Sequence, residues 1–232
     1  MPELIMTLPA DVADLDRAIL ARIAAFTMTS LERQVALIEA TRYLVRRRVP
    51  GCLVECGVWR GGSIMAVLLT LIDEGVVDRD VYLYDTFTGM TRPTEVDKTF
   101  DGTPATTHLE RDVSHTGYWC VAQFEEVRRN VLSTGYPEER IHFIKGSVEE
   151  TLPTCAPPEA IALLRLDTDW YESTKHELAQ LFPKVSHGGV LIVDDYGHWQ
   201  GAKVAVDEFL GSLQEAYYLH RIDYTGRLLI KS

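Results

Sequence analysis

The chain has 232 residues, with 23 lysines and arginines against 34 aspartates and glutamates, so its formal net charge at pH 7 is −11. Hydrophobic residues make up 46% of the sequence and charged residues 25%, which is typical of a globular protein long enough to bury a core. The acidic balance excludes a general binder of nucleic acid or of anionic membranes, because both functions need a cationic surface.

The ends of the chain and its cysteines indicate a cytoplasmic protein. Residues 1–15 contain no basic segment followed by a long apolar stretch, so we expect no signal peptide. The longest strongly apolar run, residues 64–72, is about half of what a membrane-spanning helix needs. The cysteines at 52, 56, 120 and 155 show neither a CxxC pair nor a zinc-binding spacing. Cys52 and Cys56 would face the same side of a strand, and we expect buried free thiols there.

Two helices are predicted ahead of residue 50. Apolar residues recur at helical spacing over residues 12–26, and a second helix is predicted over residues 30–48. The second helix opens with Thr-Ser-Leu-Glu at 29–32, a capping-box pattern, and Pro50-Gly51 ends it. We expect residues 1–50 to form a helical cap and residues 51–232 to form the main domain.

Beyond residue 51, short apolar strands alternate with amphipathic helices. Strands are predicted at residues 52–56, 81–84, 141–144, 162–166 and 190–193, and helices at 62–74, 122–134, 172–182 and 202–213. Two last strands, near 218–222 and 227–230, form a hairpin. Continuous apolar strands separated by helices indicate a parallel sheet covered on both faces. The prediction is an α/β protein whose seven-stranded, mostly parallel sheet ends in an antiparallel hairpin.

Residues 86–117 have few periodic apolar positions and many Thr, Asp, Gly and Pro residues. A loop of this length is uncommon inside a compact domain and usually has a function. We therefore expect residues 86–117 to form a lid over the site.

The first predicted strand runs into a glycine-rich turn, Val-Glu-Cys-Gly-Val-Trp-Arg-Gly-Gly-Ser at residues 54–63. In parallel α/β sheets ligands bind beyond the carboxyl ends of the strands. Gly57 and Gly61 would let the backbone approach a ligand, and the helix starting near Gly62 would point its free N–H groups toward it. The same residues also fit a tight turn without a ligand. The spacing is not GxGxxG, which argues against a dinucleotide.

The ends of the second and third strands carry candidate nucleoside contacts. Asp85 follows Tyr84, and a carboxylate at this position can accept hydrogen bonds from both ribose hydroxyls. A turn cap is the alternative role for Asp85. Gly146 and Ser147 follow the third strand and would place a close backbone and a hydroxyl group beside an adenine.

Acidic residues follow the fourth and fifth strands. Asp167 and Asp169 end one, and Asp194 and Asp195 end the other. Four carboxylates at neighbouring strand ends repel one another unless they are neutralised. Oxygen ligands of this kind suit a hard divalent cation such as Mg²⁺. The alternative is a set of caps and salt bridges to Arg165 or Lys203.

The histidines divide into two groups. We expect His142, His176, His187 and His220 to be structural or solvated, because the pattern places them in a strand or on helix and turn surfaces. His115, in the expected lid, and His198, just beyond the Asp194–Asp195 pair, are placed to reach the site. His115 is therefore a candidate catalytic residue.

Five segments together resemble the macrocin O-methyltransferase family of S-adenosylmethionine-dependent sugar O-methyltransferases. They are residues 54–63, Tyr-Asp-Thr-Phe-Thr-Gly-Met at 84–90, Lys-Gly-Ser-Val-Glu-Glu-Thr-Leu-Pro at 145–153, Arg-Leu-Asp-Thr-Asp-Trp-Tyr-Glu-Ser-Thr at 165–174, and Gly-Gly-Val-Leu-Ile-Val-Asp-Asp-Tyr-Gly at 188–197. The resemblance implies the class I methyltransferase variant of the Rossmann-like fold, which has the same count of seven strands. It departs from the family at Ser147, where the family commonly has Trp, and at Thr88, where it has Glu.

The resemblance also implies roles for individual residues. S-adenosylmethionine would contact Glu55, Gly57, Val58, Gly61, Ser63, Asp85, Thr86, Phe87, Gly146, Ser147, Val148 and Asp167. Asp167, Asp194 and Asp195 would hold Mg²⁺ or a similar divalent cation, and His115 or Asp167 would be the general base. The acceptor would be a small-molecule or oligosaccharide hydroxyl, and the protein would form a homodimer.

Two other classes share parts of this pattern. An NAD-linked oxidoreductase would share the sheet and Asp85, but it would normally carry GxGxxG and does not need the clustered acids. A non-catalytic binding protein with the same fold would keep the apolar core, yet it would need no acids at neighbouring strand ends.

Overall fold

A computed structural model of the chain describes residues 9–112 and 117–232. Within these ranges seven strands form one sheet in the order β3-β2-β1-β4-β5-β7-β6. The strands are β1 (Cys52–Cys56), β2 (Val81–Asp85), β3 (Ile141–Lys145), β4 (Ile161–Leu166), β5 (Val185–Val193), β6 (His220–Arg221) and β7 (Arg227–Ile230). Strands β1 to β5 pair in parallel, whereas β7 runs antiparallel to both β5 and β6. The predicted fold class is confirmed.

Eight α-helices are described. They are α1 (Asp14–Ile23), α2 (Leu31–Arg46), α3 (Gly62–Asp73), α4 (Ala105–Arg111), α5 (Phe124–Leu132), α6 (Val148–Thr151), α7 (Tyr171–Leu181) and α8 (Gln200–Ser212). The Ser30 hydroxyl caps α2 by accepting a hydrogen bond from the Arg33 backbone at 3.2 Å, one residue later than the predicted capping box, whose N-cap would be Thr29. None of the helices in the described part of the chain has the length and apolar character needed to cross a membrane.

The sheet is buried on both faces because alternate residues of its strands point to opposite sides. Leu53 of β1 packs in a core with residues of α2, α3 and α5. Val54, next to it in β1, packs in a second core with residues of α6, α7 and α8. Cys52 and Cys56 share the face of Val54 and are buried free thiols, as expected.

The two N-terminal helices pack on α3 through Ile19, Leu20 and Ile23 of α1 together with Ile38 of α2. Helix α2 also contributes Leu37 to the core on the first face of the sheet. The segment that joins α1 to α2 reaches the glycine-rich turn, since the Gly62 backbone donates a hydrogen bond to the Phe26 carbonyl at 2.9 Å. The N-terminal residues therefore share their core with the sheet and border its first turn.

The structure differs from the prediction most clearly in residues 86–117. This segment contains α4, whose Ala105 and Leu109 are buried one turn apart. Ahead of α4, residues 98–104 form a turn. Isolated antiparallel β-bridges join Lys98 to Pro104 and Thr99 to Trp199. A short helix with only two buried positions leaves a weak periodic signal, which is why the sequence indicated a plain loop. The short α6 was missed for the same reason, and β5 begins earlier than predicted.

Candidate functional site

A cavity of about 280 Å³ lies beyond the carboxyl ends of the parallel strands. It is the place where the fold class predicts a ligand. The predicted site residues that line it are Gly57, Val58, Ser63, Asp85, Thr86, Gly146, Ser147, Val148, Asp167, Asp194 and Asp195.

Three residues assigned to the cofactor by resemblance do not line this cavity. Glu55 is buried inside β1, where its Oε1 atom lies 2.6 Å from the Nη1 atom of Arg165. The Phe87 ring is buried and packs edge-on against Phe124. Gly61 faces Val131 of α5. The candidate base His115 lies outside the described residues.

Backbone hydrogen bonds extend past the strands and fix the site residues side by side. Gly57 donates to the Tyr84 carbonyl at 2.9 Å, and Asp167 donates to the Cys56 carbonyl at 2.9 Å. In the same way Asp194 donates to the Leu166 carbonyl at 2.9 Å. The order of the strands therefore sets the order in which these residues meet the cavity.

Gly57 stands where the turn and the end of β4 come closest. Its φ of +81° is in the left-handed region, and a Cβ atom added here would lie 2.0 Å from the Asp167 carbonyl oxygen. Glycine is thus required both by the backbone conformation and by the contact with Asp167.

The Asp85 carboxylate joins the end of β2 to the glycine-rich turn. Its Oδ2 atom accepts hydrogen bonds from the backbones of Val58 at 2.7 Å and Trp59 at 3.0 Å. Its Oδ1 atom accepts one from Phe87 at 2.7 Å. Burial raises the pKa of Asp85, while these N–H donors act in the opposite direction. Asp85 thus combines the turn-cap role with a position on the cavity wall.

The acids after β4 and β5 meet at one end of the cavity. Asp167, Asp194 and Asp195 each offer a carboxylate oxygen, and these oxygens lie within 4.8 Å of one another. Burial raises the pKa of Asp167 and of Asp195, and the neighbouring carboxylates raise both further. Burial likewise raises the pKa of Asp169, to about 7. We call Asp167, Asp194 and Asp195 the acid cluster.

Two arginines lie against the acid cluster. Arg165 contacts Glu55 at 2.6 Å, Asp167 at 2.9 Å and Asp194 at 2.7 Å. Arg33 of α2 pairs with Asp194 and, at 3.0 Å, with Asp223.

The sequence left open that the clustered acids form salt bridges to Arg165 or Lys203. Arg165 does form such salt bridges, whereas Lys203 pairs with Asp207 instead. The carboxylates still outnumber the cations around them, and one oxygen of each member of the acid cluster lies within 4.8 Å of the other two. This donor set fits a hard divalent cation.

Several residues of the cavity wall were not singled out from the sequence. Phe26, Thr27, Met28 and Thr29 come from the segment between α1 and α2, and Arg33 comes from the first turn of α2. Thr29 belongs to the capping pattern at 29–32 and Arg33 directly follows it, but that pattern predicts a helix start rather than a site.

One buried acid stands behind the cavity wall. Glu177 of α7 is fully buried, and its Oε2 atom accepts a hydrogen bond from the Thr168 hydroxyl at 3.1 Å. Thr168 itself lines the cavity. Burial raises the pKa of Glu177 well above its ordinary value.

A mostly parallel seven-stranded sheet with an antiparallel terminal hairpin, and with a cavity at its carboxyl edge, defines an α/β protein of the class I methyltransferase type. The sequence matches the family described as Macrocin-O-methyltransferase (TylF) over residues 14–231. The chain belongs to this family and is an O-methyltransferase, which confirms the resemblance noted in the sequence.

Relatives with assigned reactions cover most of the chain. Demethyldecarbamoylnovobiocin O-methyltransferase of Streptomyces niveus is 38% identical over 202 residues, which is 87% of this chain and 74% of the relative. The 8-demethyl-8-(2,3-dimethoxy-alpha-L-rhamnosyl)-tetracenomycin-C 4'-O-methyltransferase of Streptomyces olivaceus is 35% identical over 206 residues, with the same two shares.

Solved structures agree with this placement. The O-methyltransferase NovP superposes with a TM-score of 0.81 at 32% identity, over 94% of this chain and 98% of that one. The calicheamicin methyltransferase CalS11 superposes with a TM-score of 0.66 at 18% identity, over 93% and 91% of the two chains, and shares the fold.

Proposed function

We propose that the protein is a Mg²⁺-dependent enzyme that transfers a methyl group from S-adenosylmethionine to a hydroxyl of a saccharide or glycoside. The observation that carries the proposal is the acid cluster at one end of a cavity whose other walls come from the glycine-rich turn and the ends of β2 and β3. The name of one relative supports the acceptor class, since it gives a rhamnosyl-tetracenomycin as the group that is methylated.

In this proposal the cofactor lies across the ends of β1 and β2. The backbones of Gly57 and Val58 lie close to it. The Asp85 carboxylate accepts a hydrogen bond from the ribose at an acceptor position that its backbone contacts leave free. Ser147 and Val148, at the start of α6, border the adenine. The cavity does not require Glu55, Gly61 or Phe87 to touch the cofactor, and we assign them to the support of the turn.

Asp167, Asp194 and Asp195 would hold the cation. When bound, Mg²⁺ would polarise the acceptor hydroxyl and fix its orientation. Arg165 and Arg33 hold Asp194 from two sides, so that its carboxylate is oriented before any ligand arrives. This preorganisation favours catalysis because alignment of the reacting atoms lowers the entropic part of the barrier.

Methyl transfer needs the acceptor oxygen, the methyl carbon and the sulfur in line. The oxygen forms a bond to the carbon while the carbon–sulfur bond breaks, and S-adenosylhomocysteine leaves as a neutral thioether. The hydroxyl proton passes to a general base, for which Asp167 and His115 are the candidates. Asp167 lines the cavity. If His115→Ala leaves the turnover number unchanged, the base is Asp167.

The remaining assignments belong to the same proposal. Residues 86–117 act as a lid that excludes water and contacts the acceptor, and residues 1–50 act as a cap on the catalytic domain at 51–232. The enzyme works in the cytoplasm as a homodimer. Size-exclusion chromatography with light scattering tests the dimer directly, and a monomer would contradict it.

The decisive test is Asp194→Ala, assayed over a panel of small glycosides with product NMR. Turnover should fall at least about a hundredfold, while calorimetry still detects binding of S-adenosylhomocysteine. Asp207→Ala is the matched control, because Asp207 is exposed and pairs with Lys203. Full activity in excess EDTA would disprove the cation requirement.

A thermal-shift assay distinguishes the proposed methyltransferase from an NAD-linked oxidoreductase and, together with the activity assay, from a non-catalytic binding protein. S-adenosylhomocysteine should raise the melting temperature and NAD should not, and Mg²⁺ should add its own increment. Stabilisation by NAD alone would favour the oxidoreductase, and binding of S-adenosylhomocysteine without turnover of any glycoside would favour a binding protein.

A further inference from the structure

Six aromatic side chains contact one another beside the acid cluster, and the buried Trp199 joins two more exposed groups. Phe100 contacts Tyr224 with ring centroids 5.7 Å apart and His198 at 6.0 Å. His198 in turn contacts Trp199 at 4.7 Å. Trp199 also contacts Tyr118, with ring centroids 6.2 Å apart. The centroid of the His108 ring lies 4.6 Å from that of Tyr118. We call these six residues the aromatic surface.

Much of the aromatic surface is in contact with water. Phe100 is 62% exposed, Tyr224 52% and Tyr118 40%. Single exposed apolar residues are common, but several that adjoin one another beside a cavity are typical of a binding surface.

The exposed rings are also held in place. Phe100 occupies a tight turn in which the Thr99 backbone donates to the Thr103 carbonyl at 2.9 Å, while the Gln200 side chain donates to the Thr99 carbonyl at 2.9 Å. The Tyr224 hydroxyl is 2.8 Å from the Nδ1 atom of His198. Aromatic residues that are already fixed lose little conformational entropy when they bind, which favours recognition of a ring-shaped ligand.

Backbone contacts connect the aromatic surface to the acid cluster. The backbones of His198 and Trp199 donate to the Asp195 carbonyl at 3.1 Å and 3.0 Å. The Trp199 side chain is also close enough to Asp169, which lines the cavity, to lower the pKa of that carboxyl group. None of the six aromatic residues lines the cavity assigned to the cofactor. The aromatic surface therefore adjoins the acid cluster through the residues that directly follow Asp195.

We propose that the aromatic surface binds the aglycone of the acceptor, an apolar group that contains a ring and is joined to the sugar that receives the methyl group. The inference rests on the proposed function. Phe100 and Tyr224 offer exposed ring faces and edges, which pack well on another aromatic ring. The half-exposed Tyr118, at the margin, offers a hydroxyl that suits a polar substituent of such a group.

The test compares an aryl glycoside with the methyl glycoside of the same sugar, for example 4-methylumbelliferyl and methyl α-L-rhamnoside. Binding is measured by saturation-transfer NMR titration in the presence of S-adenosylhomocysteine, and KM is measured wherever turnover occurs. In the double variant Phe100→Ala/Tyr224→Ala, the dissociation constant of the aryl glycoside should rise about tenfold, and that of the methyl glycoside less than about twofold. Tyr218→Ala is the matched control, because Tyr218 is 82% exposed and no contact joins it to the aromatic surface in the described residues.

The outcomes separate the two proposals. Equal loss for both glycosides, no loss for the aryl glycoside, or no binding of the aryl glycoside to the unmodified protein would overturn the aglycone site. Selective loss of aryl glycoside binding without any methyl transfer would leave the aglycone site standing and remove the proposed reaction. Methyl transfer to the aryl glycoside with an unchanged KM in the double variant would overturn the aglycone site and leave the proposed reaction standing.

Discussion

The Oδ2 atom of Asp85 lies 2.7 Å from the backbone nitrogen of Val58, so one carboxylate bridges the ends of β2 and β1. The same carboxylate also accepts from Trp59 and Phe87. Asp85 therefore shapes the glycine-rich turn before any cofactor is present. In the proposed function, Asp85 would contribute to cofactor binding directly, through the ribose, and indirectly, through the turn.

Asp85→Ala should weaken binding of S-adenosylhomocysteine at least about tenfold in calorimetry and should also lower the melting temperature. The loss of stability follows because the N–H groups of Val58, Trp59 and Phe87 lose their acceptor. Asp80→Ala is the control, since Asp80 stands just ahead of β2 and pairs with Arg140 and His142, away from the cavity. Wild-type affinity in a folded Asp85→Ala protein would remove the ribose assignment.

Gly57→Ala should unfold the site or the protein, because its Cβ would meet the Asp167 carbonyl oxygen at 2.0 Å. Gly135→Ala is the matched control: its φ is +84°, similar to the +81° of Gly57, but no atom lies within 4 Å of the added Cβ. The control should cost about 1 kcal/mol in the free energy of unfolding, from the left-handed conformation alone. Gly57→Ala should cost several times as much in urea denaturation. Equal costs would show that the turn relaxes without strain.

Much of the site was predictable because polar residues at the ends of apolar strands stand out in the sequence. Asp85, Asp167, Asp194 and Asp195 follow such strands, and all four line the cavity. Glu55 could not be placed in the same way. It pairs in register with Arg165 across β1 and β4, and that neighbour is known only once the strand order is known.

The N-terminal wall of the cavity could not be predicted from the sequence, for a related reason. Phe26 to Thr29 reach the cavity because the Phe26 carbonyl accepts from Gly62, a contact between residues far apart in the chain. Arg33 likewise carries no local signal of its pairing with Asp194 and Asp223. Tertiary pairs of this kind depend on how helices dock, whereas strand ends follow from local patterns.

Arg33→Met should lower the free energy of unfolding by about 3 kcal/mol or more, because it removes the cation paired with Asp223 and leaves Asp194 with Arg165 alone. Arg46→Met is the control, since Arg46 is 66% exposed and its salt bridge with Glu74 should matter little. Urea denaturation measures both. In the double variant Arg33→Met/Asp223→Asn part of the stability should return, because the negative charge that lost its cation at position 223 is gone. A loss no larger than that of Arg46→Met would contradict a structural role for the Arg33 ion pairs.

Glu177→Gln should make the protein more stable at pH 8 than the wild type, with a difference that shrinks toward pH 5. Burial raises the pKa of Glu177 well above its ordinary value, so the folded state keeps a proton that the unfolded chain releases near its ordinary pKa of about 4.3. The unfolded state then binds fewer protons, and stability falls as the pH rises from about 4.3 toward the folded-state pKa, by at most about 1.4 kcal/mol per pH unit. Glutamine is neutral in both states and still accepts from the Thr168 hydroxyl, so it removes this loss. Melting temperatures from pH 5 to pH 8 measure the effect, with the exposed Glu172 of the same helix changed to Gln as the control. A difference between Glu177→Gln and wild type that stays constant over this range would show that Glu177 is ionised in the folded protein.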